Sequence, residues 1–149
     1  FIGILEAVRE RATCDRGKSA CVIVSETLNI LATGYVGSPS GMPHCDDVGH
    51  DLIEVMINDT KTIHCDRTIH AEKNAIAQAA KLGIALDKCT IYITMVPCYS
   101  CAKMIVQIGA KRVVALYDYQ RSDKTKDLFM KTNIGLKVVH NTVLNYKDY

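Results

Sequence analysis

Apolar positions along the first part of the chain change from a helical to a strand-like period. In residues 1–12 four apolar side chains recur at helical spacing, which predicts an amphipathic helix: Ile4, Leu5, Val8 and Ala12. Residues 20–25 and 30–35 are apolar and rich in β-branched side chains, and a polar turn at residues 26–29 separates them. These two runs predict a pair of strands in an antiparallel hairpin.

The second half of the chain alternates regularly between helical and strand patterns. Helices are predicted over residues 70–82, 98–108 and 124–132, and glycines at 83 and 109 end the first two. Strands are predicted over residues 89–95, 112–117 and 136–140. Because alternating strands and helices favour a largely parallel sheet covered by helices, we predict one α/β domain over residues 1–149. Its expected architecture is a three-layer α/β/α sandwich around a mixed five-stranded sheet.

Residues 37–67 interrupt this alternation as a long insertion. They begin with turn-forming glycine, serine and proline at residues 37–43, and we predict a short helix over residues 52–57. A connection of this length inside a compact domain is either functional or held by another interaction. Because cysteines and histidines occur within it, a bound metal is a candidate for that interaction.

Composition narrows the class of protein. The chain has 149 residues, 48% hydrophobic and 23% charged, as is typical of a single globular domain. Its formal net charge is only +2, which gives little reason to expect a nucleic-acid polymer as partner. We find no apolar run long enough for a membrane span and no export signal. We therefore expect a cytoplasmic protein, in the host cytoplasm if the source is viral. Its seven cysteines then favour metal binding over disulfides.

One histidine and a Cys-x-x-Cys pair, His70 with Cys98 and Cys101, can supply three ligands to one zinc ion. Residues three apart on a helix lie on one side, so both sulfurs can face the same ion. Three protein ligands leave the fourth tetrahedral position to water, as in catalytic zinc sites. Glu72 follows the histidine by two residues and is placed to carry protons. This combination is typical of zinc-dependent deamination of nucleobases.

Each part of the pattern also has a purely structural explanation. A Cys-x-x-Cys pair alone occurs in structural zinc sites and redox pairs. A glutamate in a helical first turn is a favourable charge, and a histidine there is often a cap or a surface residue. Because all three parts occur in this order, with a strand and Pro97 before the second helix, the catalytic explanation is favoured.

The chain resembles the deoxycytidylate (dCMP) deaminases of bacterial and phage type, in the cytidine deaminase superfamily, over nearly its whole length. The resemblance is carried by residues 12–14, 33–41, 44–45, 64–76 and 97–103. It implies a cytidine deaminase-like fold and hydrolysis of dCMP to dUMP and ammonia, which supplies dUMP for dTTP synthesis. Carried over by position, His70, Cys98 and Cys101 are the zinc ligands and Glu72 is the proton shuttle.

The resemblance also implies regulation and assembly. The family's members are homo-oligomers, commonly hexamers, activated by dCTP and inhibited by dTTP, and we expect Mg²⁺ to accompany the triphosphate. Its effector segment corresponds to Gly34, Tyr35, Val36 and Gly37. Val36 stands where the family usually has asparagine, a departure that bears on effector choice.

Some relatives bind a second, structural zinc ion through a cysteine after the first helix and ligands in the insertion. The corresponding residues here are Cys14, Cys45, His50 and Cys65, with His64 as a substitute ligand. The alternative is that these are scattered loop residues. Cys21 and Cys89 lie within predicted strands and are expected to be buried apolar residues.

The candidate substrate contacts are Ala71, Asn74, Tyr119 and Arg121. Arg121 is the first candidate for the phosphate because a guanidinium matches phosphate geometry; Arg67, Lys18 and Lys73 are further candidates. Each of these charges has the alternative of being a solvated surface group. Asn74 has the alternative of ordering its helix, and Tyr119 that of packing at a strand end.

Three other functions remain open at this point. A tRNA adenosine deaminase shares the zinc chemistry, but it should show a basic face, which the small net charge disfavours. A free cytidine deaminase usually has cysteine in place of His70. A zinc-binding module without catalysis is the third alternative, and the presence of Glu72 disfavours it.

Overall fold

Strands and helices alternate through the chain, and the computed structural model describes residues 1–57 and 60–144. The first part contains α1 (Ile2–Arg9), a 3₁₀ turn (Asp15–Gly17), β1 (Ala20–Val24), β2 (Ile30–Tyr35), α2 (Cys45–Val48), β3 (Leu52–Ile57) and β4 (Thr60–Cys65). The second part contains α3 (Ala71–Leu82), β5 (Thr90–Met95), α4 (Tyr99–Gln107), β6 (Arg112–Tyr119), α5 (Asp123–Lys131), β7 (Gly135–Val138) and β8 (Val143–Leu144). The predicted elements outside the insertion are therefore confirmed, with small shifts in their ends.

The central sheet is mixed. In the described part of the chain, five strands follow the order β2-β1-β5-β6-β7, and β8 pairs with β6 beside them. β1 is antiparallel to both β2 and β5, whereas β6 is parallel to both β5 and β7. The predicted hairpin and the mixed five-stranded sheet are confirmed, and β8, a two-residue strand, was not predicted.

Helices cover both faces of the sheet because side chains alternate along each strand. On β1, Cys21 and Ile23 face the main core under α3, α4 and α5, whereas Val22 and Val24 face α1. Cys21 and Cys89 are both fully buried, as expected for apolar cysteines.

The apolar stripe of α1 is narrower than predicted. Leu5 is fully buried and Val8 packs beside it, but Ile4 is 40% exposed. Neighbouring residues on a helix point about 100° apart, so a short helix that buries Leu5 turns Ile4 to its flank. No helix in the described residues has the length and apolar character needed to cross a membrane.

Residues 52–57 form a strand, so the predicted short helix is wrong. β3 pairs antiparallel with β4 over its whole length, from Leu52 opposite Cys65 to Ile57 opposite Thr60. The partner strand pairs with the backbone groups on the facing edge of β3, and the apolar, partly β-branched composition of β3 suits a strand. The short helix of the insertion is α2 instead.

α3 packs against β2 with backbone in contact with backbone. A Cβ atom added at Gly34 would lie 2.3 Å from the Ala71 carbonyl oxygen and 2.4 Å from the Ala75 nitrogen. Asn74 Nδ2 donates to the Tyr35 carbonyl at 2.8 Å. These contacts hold the start of α3 against the end of the hairpin.

Candidate active site

The side chains of His70, Cys98 and Cys101 converge in the folded chain. His70 Nδ1 lies 3.6 Å from Cys98 Sγ and 3.5 Å from Cys101 Sγ, and all three ligand atoms lie within 4.8 Å of one another. Nitrogen and sulfur ligands of a tetrahedral zinc ion, at about 2.1 and 2.3 Å from the metal, are roughly 3.6 Å apart. The donor set and its spacing therefore fit a zinc ion.

Helix starts bring these ligands together. His70 and Cys98 are the N-cap residues of α3 and α4, both with extended backbone, and Cys101 is buried in the first turn of α4. The hydroxyl of Thr125, fully buried in α5, donates to the Pro97 carbonyl at 2.9 Å. A third helix thus holds the turn that precedes Cys98. Sequence reasoning missed Thr125, for which the only signal was an uncharged residue between lysines in a polar helix.

Hydrogen bonding separates the pKa values of the two cysteines. The Cys101 thiol donates to Cys98 and lowers the pKa of Cys98 to about 3, while the same bond and burial raise the pKa of Cys101. The hydrogen bond to Cys98 also raises the pKa of His70, against the effect of burial. The cluster therefore carries a thiolate that attracts a cation.

Glu72 lies beside this cluster in the first turn of α3. Its side chain is 5% exposed. Burial raises the pKa of its carboxyl, and the positive charge of His70 opposes that shift. A carboxyl whose pKa lies nearer neutrality can both accept and return a proton during a reaction.

A cavity opens beside the cluster, and concave sites of this kind are where small molecules bind. The predicted site residues that line it are His70, Ala71, Glu72, Cys98 and Tyr119, together with Cys14, Val36 and Cys65. Arg16, Ile63 and His64 also line it. Arg16 was not predicted as a site residue, because nothing in the sequence indicates that this turn residue is buried.

Two predicted substrate contacts have partners within the protein. Asn74 donates to the Tyr35 carbonyl and so joins α3 to β2. Arg121 Nη1 donates to Thr62 Oγ1 of β4 at 3.4 Å. Arg67, Lys18 and Lys73 are half-buried.

A second cluster forms where the insertion meets the turn after α1. Cys14, Cys45, His50 and Cys65 place their ligand atoms within 4.8 Å of one another. Cys14 Sγ lies 3.7 Å from His50 Nδ1, and Cys45 Sγ lies 3.6 Å from Cys65 Sγ. These distances again fit a tetrahedral zinc ion, and four protein ligands match a closed structural site.

The surroundings of the second cluster support the same conclusion. His50 Nε2 lies 3.1 Å from a carboxylate oxygen of Asp15, and zinc-binding histidines commonly donate their second nitrogen to a carboxylate. Burial raises the pKa of Cys45 to about 12, so this thiol keeps its proton until a cation displaces it. His64, the substitute ligand, lines the cavity instead.

The predicted effector segment packs tightly against its neighbours. Gly34 contacts α3, and a Cβ atom at Gly37 would lie 2.8 Å from Thr13 Oγ1. Val36 is buried with Ala12, Cys14 and Cys45. An apolar side chain suits this position because an asparagine amide buried there would need hydrogen-bond partners.

The family model described as "Cytidine and deoxycytidylate deaminase zinc-binding region" matches residues 1–117. ComE operon protein 2 of Bacillus subtilis (strain 168) is 40% identical over 129 residues, which cover 87% of this chain and 64% of that protein. The deoxycytidylate deaminase of Enterobacteria phage T2 is 29% identical in an alignment 171 positions long, which covers 95% of this chain and 90% of the phage protein.

A solved structure has the same fold. The dCMP deaminase of cyanophage S-TIM5, crystallised in complex with dCMP and dUMP, is 25% identical, with a TM-score of 0.72 over 92% of both chains. The chain therefore matches a phage enzyme over almost its full length, but it spans 64% of the length of the B. subtilis relative.

Proposed function

The chain belongs to the cytidine and deoxycytidylate deaminase zinc-binding family, and we propose that it hydrolyses dCMP to dUMP and ammonia. The observation that carries the proposal is the convergence of a zinc-type ligand set and a buried carboxyl on one cavity. The relatives named deoxycytidylate deaminase support the choice of substrate.

His70, Cys98 and Cys101 would hold the catalytic zinc ion, which when bound supplies a Lewis acid that makes water nucleophilic near pH 7. The Glu72 carboxylate accepts a proton from the attacking water and delivers it to N3 of the cytosine ring, which makes C4 more electrophilic. The same carboxylate then accepts the second proton of that water, now on the C4 hydroxyl, and gives it to the departing amine as the bond from C4 to the exocyclic nitrogen breaks and the C4 carbonyl forms. Water and dCMP are thereby converted to dUMP and ammonia.

The second cluster would hold a structural zinc ion. Its four ligands come from the turn after α1, from the segment around α2 and from the end of β4. A metal there joins segments that are distant in sequence, as the length of the insertion requires. Its proposed role is to hold the β3–β4 hairpin against the main domain.

Regulation and assembly are further parts of the proposal. We infer activation by dCTP and inhibition by dTTP, each with Mg²⁺, in a homohexamer that supplies dUMP for dTTP synthesis. The support is the resemblance at residues 34–37 together with the contacts of Gly34 and Tyr35 with α3. A ligand bound at this segment would act on the helix that carries Glu72.

The decisive experiment measures ammonia release and the ultraviolet change on incubation with dCMP, at saturating zinc and with cytidine as control. We expect turnover of dCMP and little of cytidine. No turnover of dCMP, even with dCTP and Mg²⁺ present, would contradict the proposed function and favour an RNA substrate or a binding module.

A further inference from the structure

The strands β1 and β5 separate from each other at one buried threonine. Their register ends with Cys21 opposite Ile93, so the next pair of the ladder would be Ala20 opposite Thr94. In an antiparallel ladder the Ala20 backbone nitrogen would donate to the backbone carbonyl of Thr94. It donates instead to the Thr94 side-chain hydroxyl, at 3.0 Å. The side chain thus replaces a ladder carbonyl at this point, which we call the fork.

The cavity beside the candidate active site lies where the two strands have separated. Gly17 and Ser19, which precede β1, line one side of it. Met95, Val96 and Pro97, at the end of β5 and beyond it, also line the cavity. Both arms of the fork therefore form walls of the cavity.

Each arm of the fork is held by the strand on its other side. The Val36 nitrogen, after β2, donates to the Ser19 carbonyl at 2.9 Å, and the Val96 nitrogen donates to the Tyr117 carbonyl of β6 at 3.0 Å. The backbone of each arm thus keeps a hydrogen-bond partner after the two strands have separated.

The Thr94 hydroxyl satisfies the Ala20 nitrogen without closing the fork. Both residues are fully buried, and a buried N–H group without a partner is costly. If the hydroxyl were removed, the ladder geometry would offer the backbone carbonyl of residue 94 as the acceptor. That bond would extend the ladder by one pair and draw Ser19 towards Met95, across the cavity.

We propose that Thr94 is a positioning residue for the reaction, because its hydroxyl holds β1 and β5 apart and so keeps the cavity wide enough for the substrate. This inference rests on the proposed deamination of dCMP. Thr94 is absent from the described residues that line the cavity, so it acts through the two strands and not by contact with the substrate.

The test compares kcat and KM for dCMP in the zinc-loaded wild-type protein and in Thr94→Val, which replaces the hydroxyl with a methyl group of similar size. We expect kcat/KM to fall on the order of 100-fold, since a displacement of about 1 Å far from the chemistry has an effect of that size. Most of the fall should appear in KM, and calorimetry should show weaker binding of dUMP. Zinc content should stay at the wild-type level, because Thr125 holds the turn before Cys98 separately.

Three further variants separate the role of the hydroxyl from a loss of stability. Thr94→Ser keeps the hydroxyl and should restore kcat/KM, while Thr94→Ala also lacks it and serves if the valine variant does not fold. Val24→Ala, at the other end of β1 and in the same apolar cluster as Ala20, is the matched control. It should lower the melting temperature and leave kcat/KM and dUMP affinity unchanged. Wild-type values of both in Thr94→Val would overturn the inference.

A crystal structure of Thr94→Val tests the inference independently of activity. It should show the Ala20 nitrogen donating to the backbone carbonyl of residue 94, with Ser19 closer to Met95 than in the wild type. Strands that stay apart in this variant would overturn the inference. Failure of the proposed function has a separate signature, because the wild-type protein would then leave dCMP intact whatever the fork does.

Discussion

Glu72 shows how the surroundings of one side chain determine its chemistry. The carboxyl lies in the first turn of α3, next to the His70 and Cys98 side chains, and is almost completely buried. A solvated glutamate in the same turn would only favour the helix. Burial raises the pKa of this carboxyl, and the resulting proton affinity suits a group that takes a proton and gives it back.

Replacing Glu72 with glutamine should remove turnover without removing zinc. Glutamine has the same shape but cannot transfer a proton, and general acid–base groups contribute about 10²- to 10⁴-fold to rate. Ammonia release and zinc content per chain are the measurements. Glu6→Gln, at an exposed carboxyl of α1, is the matched control. Activity near that of the wild type in Glu72→Gln would refute the proton-shuttle role.

Thr125 contacts the backbone of Pro97, the residue before Cys98, and is predicted to support the zinc site through that contact. Changing it to valine deletes the hydroxyl that donates to Pro97, and loss of such a supporting contact lowers metal affinity by about 10-fold or more. Competition with a chromophoric chelator measures that affinity. Thr125→Ser should restore it, and Thr132→Val, whose hydroxyl bonds within its own helix, should leave it unchanged. Wild-type zinc affinity in Thr125→Val would show that the contact is dispensable.

At the scale of elements, sequence periodicity predicted the structures that depend on local patterns. The spacing of apolar residues predicted the strands β1 and β2. The same spacing, together with the glycines that follow the two helices, predicted α3 and α4. The prediction failed at residues 52–57, because a strand in an isolated hairpin is stabilised by its partner, and pairing is not visible in the strand's own pattern. β8 was missed for a similar reason, since two residues carry no period.

The same contrast holds at the site. The convergence of His70, Cys98 and Cys101 could be predicted from the sequence because these residues lie at the starts of two predicted helices. The burial of Arg16 could not be predicted, because it depends on β4 packing against a turn that is distant from it in sequence.

The two clusters should bind metal independently. The zinc-loaded protein is expected to contain about two zinc ions per chain. Cys45→Ala should lose the ion at the second cluster and loosen the β3–β4 hairpin, while Cys101→Ala should lose the catalytic ion and activity. Elemental analysis gives the zinc content, and limited proteolysis reports on the hairpin. Cys89→Ala, in the core and outside both clusters, should keep both ions, and one ion in the wild type would refute the second site.

For the whole molecule, each proposed zinc ion would link segments that the sheet alone does not join. A ligand that binds only the folded state stabilises it by about 4 kcal/mol when its free concentration is roughly 1,000 times Kd. Removing zinc with a chelator should therefore lower the melting temperature by roughly 10 °C or more. The melting temperature of Glu72→Gln should fall on chelation as much as that of the wild type, whereas that of Cys45→Ala should fall less. A melting temperature that is unaffected by chelation would contradict a structural role for either ion.

Gly34 has a consequence for how a saturation mutagenesis screen of this protein would be interpreted. Any side chain there would collide with the backbone of the helix that carries Glu72, so growth-based selection would score both positions as intolerant. Only a parallel measurement of protein abundance would distinguish them, since substitutions at Gly34 deplete the folded protein and those at Glu72 do not. Intolerance alone would therefore give Gly34, a position without a chemical role, the same score as Glu72, the proposed proton shuttle.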